Sequence, residues 1–190
     1  MGTMAFYWVP GMPRGPEDVP FTTGDFTSIF TFISVVFAAA LGFRQSAWES
    51  SRGTYLFLLH RPIRRATIFL TKLTTGIAVF LLCSSVPIVL YAAWASMPGR
   101  HAGPFEWSMT GPAWRLSFLM PLLYLGAFLS GLRPARWFGT RLLPLAASIA
   151  LLVVASILPW WWCAGFPLAL VLYGLLAANV CFVARVRDYA

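Results

Sequence analysis

Four serines, Ser84, Ser85, Ser130 and Ser148, sit inside long apolar runs, where a hydroxyl with a base beside it would be a nucleophile. None of those runs contains a His or an Asp to serve as that base, and no GxSxG, HExxH or paired-carboxylate pattern occurs elsewhere. His60 and His101 are lone histidines in different connections, so they form no metal pair. Cys83 and Cys181 lie in apolar runs and Cys163 in a tight connection; an odd count without CxxC spacing excludes a disulfide framework or a zinc site. A GxxxxGK[ST] loop is absent, so any ATP-driven work falls to a second polypeptide. These patterns predict no catalytic residue, no metal and no directly bound cofactor. What remains is mechanical. Residues 44–72, RQSAWESSRGTYLFLLHRPIRRATIFLTK, form a basic, amphipathic stretch between two apolar runs, well placed to take a push from a soluble partner.

The rest of the chain positions that stretch. Of its 190 residues, 59% are hydrophobic and 11% charged, with a mean hydropathy of +0.74, whereas a soluble domain carries about 25% charged residues. A core this small cannot hide so much apolar surface, so its solvent is lipid. The net charge of +8 does not point to nucleic acid, because the basic residues sit in short loops beside apolar runs.

Five runs cross or nearly cross a hydrocarbon core of about 30 Å as helices: approximately 27–43, 74–95, 116–132, 142–161 and 165–184. None contains Asp, Glu, Lys or Arg, which leaves no proton relay or ion site within the membrane. The fold class is all-α, a polytopic membrane helix bundle of five transmembrane helices plus an amphipathic interfacial helix. Eleven basic residues fall in the connections 44–73 and 133–141 and in the tail, against three (Arg14, Arg100, Arg115) on the opposite side. This bias places the N-terminus outside and the C-terminus in the cytoplasm of a plasma (inner) membrane protein. Residues 1–26, rich in Pro and Gly, read as an exposed extracytoplasmic segment, and 27–190 as the transmembrane domain with a cytoplasmic elbow at 44–73. Trp48, Trp160, Trp161 and Trp162, with Arg61 and Arg64, are expected to anchor the bundle at the interfaces. Gly126, Gly131 and Gly139, or Gly174 and Ala178, are candidates for close helix packing, and Pro87 and Pro121 for kinks.

In the elbow, Ser46 and Glu49 have capping-box spacing, which predicts a helix from about Ala47. Trp48, Tyr55 and Leu59 follow on one face of it, as in a helix lying in the interface. Pro62 marks its end, and a second helix is expected to start soon after and to run through Lys72 into the next span.

Glu49, Gly53, Thr54, Leu58, Leu59, Pro62, Arg65, Ile68 and Lys72 fall on the string E-x3-G-T-x3-L-L-x2-P-x2-R-x2-I-x3-K. In this the chain resembles the permeases of type-2 ABC exporters, the ABC-2 membrane-subunit family. The resemblance implies that the elbow is a coupling helix that docks on an ABC ATPase subunit, with ATP and Mg bound on that partner. It further implies that Glu49, Gly53, Pro62 and Arg65 shape or dock the elbow, and that two copies, or one copy and a homologous permease, enclose the path. Members of the family have six spans with both termini inside; five are visible here, and the missing one would be the first. The expected function is therefore the permease subunit of an ATP-driven exporter. The alternative is a non-transport membrane assembly or scaffold protein, or a truncated, inactive permease relative.

Overall fold

The computed structural model describes residues 20–21, 25–48, 65–97, 105–133, 138–157 and 161–186. Among them every regular element is helical. The long helices are α1 (Asp25–Phe43), α2 (Arg65–Ala95), α3 (Gly111–Leu132), α4 (Phe138–Ile157) and α5 (Phe166–Val186). All five are long and apolar enough to span a membrane. A π-helical turn, Arg44–Trp48, prolongs α1, a 3-10 turn, Trp107–Thr110, leads into α3, and a second π-helical turn, Trp161–Gly165, leads into α5.

Four of these helices pack around the third. From Leu119 to Leu132 every residue of α3 is buried, whereas α1, α2, α4 and α5 each turn a row of large apolar side chains outward. The main core joins Tyr124, Phe128 and Leu132 of α3 to Ala38 of α1, Phe69, Leu73 and Phe80 of α2 and Val180 of α5. Outward-facing Ile33, Leu82, Val154 and Phe182 are what lipid-facing helices require, since hydrocarbon outside is as good a solvent as the core. The helices run alternately up and down. Ser46 at the end of α1 meets Gly131 at the end of α3, while Phe26 at the start of α1 stacks on Tyr91 at the end of α2. Among the described residues the bundle therefore has an elbow end, carrying Arg44, Lys72, Arg133 and Arg141, and a far end, carrying Glu106 and Arg115.

The five apolar runs coincide with the five helices, with three corrections. Helix α2 is continuous from Arg65, so the second helix does start soon after Pro62 and carries Lys72 into the span. Ser46 does not open a new helix: it lies inside the turn that extends α1, and its hydroxyl donates to the Gly42 carbonyl at 2.7 Å. A serine can bond back one turn in this way as readily as it caps the next helix, and burial against Gly131 selects the former. Arg115, read as a loop residue, is within the second turn of α3. The N-terminal segment is not wholly exposed either, because Phe21 is buried in the far-end aromatic cluster with Phe26 and Tyr91. Phe21 holds this position with a left-handed φ of 64°, a conformation that is a genuine outlier for a bulky residue.

Candidate functional site

The predicted coupling residues Glu49, Gly53, Thr54, Leu58, Leu59 and Pro62, and the anchors Arg61, Arg64 and Trp160, lie outside the described residues, as does the interfacial helix itself. Arg65 is the first residue of α2. The two ends of the elbow, Arg44–Trp48 and the first turns of α2, are described, and α3 binds them together.

Tyr124 is the junction. It is fully buried in α3, and its hydroxyl donates to Oε1 of Gln45 at 2.7 Å. The Lys72 carbonyl of α2 is a second, longer acceptor at 3.4 Å. A phenol has one proton, so the shorter bond carries most of the interaction. A buried tyrosine hydroxyl needs such a partner, because leaving it unpaired costs about 1–3 kcal/mol. Gly76, one turn along α2 from Lys72, is what admits the hydroxyl: a Cβ there would overlap it.

Close backbone approach completes the junction. A Cβ on Gly42 would stand 2.6 Å from the Tyr124 carbonyl oxygen and 2.9 Å from the Phe128 nitrogen, so α1 rests directly on the backbone of α3. Beside it, Ser46 fills the space that a side chain at Gly131 would take. Both Gly126 and Gly131 thus serve as packing positions, Gly126 against Ser148 of α4 and Gly131 against α1. Gly174 has nothing within 4 Å of its would-be Cβ, so among the described residues it packs against no other helix. Interlocked small residues of this kind transmit displacement between helices, since tight contacts repack in discrete steps and do not stretch.

The serines considered as nucleophiles have structural partners. Ser84 and Ser117 share a buried hydrogen bond of 2.5 Å between α2 and α3. Ser130 accepts the Leu145 N–H at 3.1 Å, next to Pro144, which disturbs the helical ladder of α4. Ser148 donates to the Leu145 carbonyl at 2.8 Å, and Ser85 to Leu82 at 2.8 Å. The three cysteines are free thiols on separate parts of the bundle.

At the far end, Arg115 reaches α4. Its Nη2 donates to the carbonyls of Ala155 at 3.1 Å and Ser156 at 2.7 Å, and its guanidinium lies 4.8 Å from the Trp161 ring centroid. The last carbonyls of a helix lack intrahelical donors and carry its negative dipole end, so a cation there is well placed. Two of the tryptophans expected to be anchors therefore divide: Trp161 is a half-buried platform for Arg115 and packs edge-on to Phe166, whereas Trp162 is 80% exposed. Trp48 is exposed at the end of the α1 extension.

Gln45, Tyr124, Gly42, Gly76 and Arg115 were not singled out from the sequence. A tyrosine deep in an apolar run was the available signal, since its hydroxyl demands a partner on a neighbouring helix. No family model, curated protein or solved structure matches the chain.

Proposed function

We propose that the chain is the membrane-spanning permease subunit of an ATP-driven exporter of the ABC-2 type, working with a separate ATPase. The string from Glu49 to Lys72 carries this reading. Its support in the fold is that the two ends of the elbow meet at one residue of the central helix, Tyr124. ATP and Mg bind the ATPase. Closure of the ATPase pair pushes residues 46–65 from the cytoplasm, and the push enters the bundle through Gln45 and the first turns of α2. Gly42, Gly76 and Gly131 leave α1, α2 and α3 no slack, so the three move together. Lys72 holds the start of the second span at the interface.

The centre of the bundle is filled by α3; this supports a reading in which the translocation path lies between two subunits, a homodimer or a heterodimer with a second permease. The basic elbow end faces the cytoplasm of the plasma membrane, with the N-terminus outside.

The same filled centre favours a second reading, a non-transport scaffold that uses the elbow as an interfacial anchor. Affinity purification from gently solubilised membranes separates the two. An ATPase with a Walker A loop recovered in near-stoichiometric yield is expected for the permease. Its absence at every detergent and nucleotide condition overturns the permease and leaves the scaffold.

A further inference from the structure

Helices α1 and α2 touch at two levels and part between them. At the far end Phe26 stacks on Tyr91 with ring centroids 4.4 Å apart, and toward the middle Phe37 stacks on Phe80 at 5.6 Å. Each bridge lies eleven residues from the other on both helices, an axial interval of about 16 Å at 1.5 Å per residue. Between the bridges is a cleft of about 280 Å³, open sideways and lined by residues that include Ile29, Ile33, Ser34, Cys83, Ser84 and Pro87. Pro87 lies level with the middle of it and has no N–H for the Cys83 carbonyl, so the ladder of α2 is interrupted where the helices diverge.

From this geometry we infer that the α1–α2 cleft is a binding site for one acyl chain of a bilayer phospholipid, drawn from the leaflet at the far end of the bundle. Three observations select that occupant. First, the cleft is lined by Ile29 and Ile33 on one side and Cys83 on the other, all exposed on the faces that lipid wets. Second, its length of about 16 Å matches one leaflet of a hydrocarbon core about 30 Å thick, so a single chain fills it from interface to midplane. Third, the wall is apolar apart from its two serines, and Ser84 is already bonded to Ser117. Water, which needs two to four polar partners, has no reason to stay.

Size excludes the bulkier candidates. The volume is at the bottom of the roughly 300–1,000 Å³ range of small-molecule pockets, enough for a slender chain. A helix of a second copy, about 10–12 Å across with its side chains, cannot lie along the cleft, because the ring bridges close both of its ends. The inference rests on the chain spanning a bilayer and not on any ATPase, so its fate is independent of the exporter reading.

The test uses the full chain in vesicles of phosphatidylethanolamine and phosphatidylglycerol, doped with a phosphatidylcholine that carries a diazirine midway along one acyl chain. After irradiation, cross-links are mapped by peptide mass spectrometry. Labelling of residues 26–37 and 80–87 is expected to exceed that of the outward faces of α4 and α5 severalfold. Ser34→Phe, which fills the cleft, is expected to bring it down to the level of those faces. Leu82→Phe, on the outward face of α2, is expected to leave it unchanged. If Ser34→Phe fails to insert, Cys83→Phe fills the same space from α2. Even labelling around all four outer helices, or undiminished labelling in the filled variants, overturns the site. So does efficient cross-linking of two copies through Cys83 without lipid adducts, which would make the cleft a protein interface.

Discussion

Tyr124 and Gln45 are 79 residues apart in sequence and joined by a 2.7 Å hydrogen bond, so the first turn of the elbow is fastened to the axis of the bundle. The same hydroxyl reaches the Lys72 carbonyl on the far side of the elbow. One side chain thus touches both ends of the elbow.

Removing that hydroxyl by Tyr124→Phe is expected to destabilise the folded bundle by about 0.5–2 kcal/mol, the range of hydrogen bonds between membrane helices. Reversible unfolding in mixed micelles measures it. If the junction also couples the elbow to the spans, the variant retains ATPase binding but loses substrate-stimulated ATP turnover.

Gly76→Ala forces a methyl into the space of the Tyr124 hydroxyl and is expected to cost about 1–3 kcal/mol, as overpacking does. In a Tyr124→Leu background the same change is expected to cost much less, because the ring it strikes is gone. Additive effects in the double-mutant cycle would show that the two residues do not share one space.

Glycines that look alike in the sequence are expected to part company. Gly131→Ala overlaps Ser46 and should destabilise by about 1–3 kcal/mol. Gly174→Ala meets open space and should be neutral or stabilising, by up to the roughly 0.8–1.0 kcal/mol that separates the two residues in helix propensity. Thermal unfolding of the two variants side by side decides the matter.

Arg115→Ala takes a charged donor from the end of α4 and a cation from the face of Trp161, and is expected to destabilise by about 1.5–3 kcal/mol. Arg115→Lys should recover only part of this, since one ammonium nitrogen can serve the two carbonyls that Nη2 holds but lacks the planar face that lies over the Trp161 ring. Unfolding followed by tryptophan emission reads both effects.

On the proposed permease reading, Arg65→Glu is expected to weaken co-purification of an ATPase while leaving insertion intact. Unchanged co-purification removes Arg65 from the docking role.

The spans were legible because each is a charge-free run long enough to cross the bilayer, and lipid enforces that pattern without reference to tertiary contacts. Which span lies at the centre was not read from the sequence, although a trace of it is there. The window on α3 is the least hydropathic of the five and the most buried, at 83%, because a helix screened by its neighbours can afford Tyr124, Ser130 and three glycines where a lipid-facing one carries Leu and Val. Ser46 was misread for a related reason. Its hydroxyl has two stereochemically sound uses, forward as a cap or back to Gly42, and only the approach of Gly131 from another helix chooses between them. Arg115 was placed at the correct end but in a loop, since nothing local reveals that the carbonyls it serves are 40 residues away.

The enclosure of α3 also bears on how the chain is made. Among the described helices the central one precedes α4 and α5 in order of synthesis, so it enters the bilayer before those two partners are there to cover it. Its other side, with Gly126 and Ser130, meets lipid until α4 arrives to take up those positions. The interval before α4 and α5 close around α3 is when a membrane chaperone would have a hydroxyl and a glycine groove to hold.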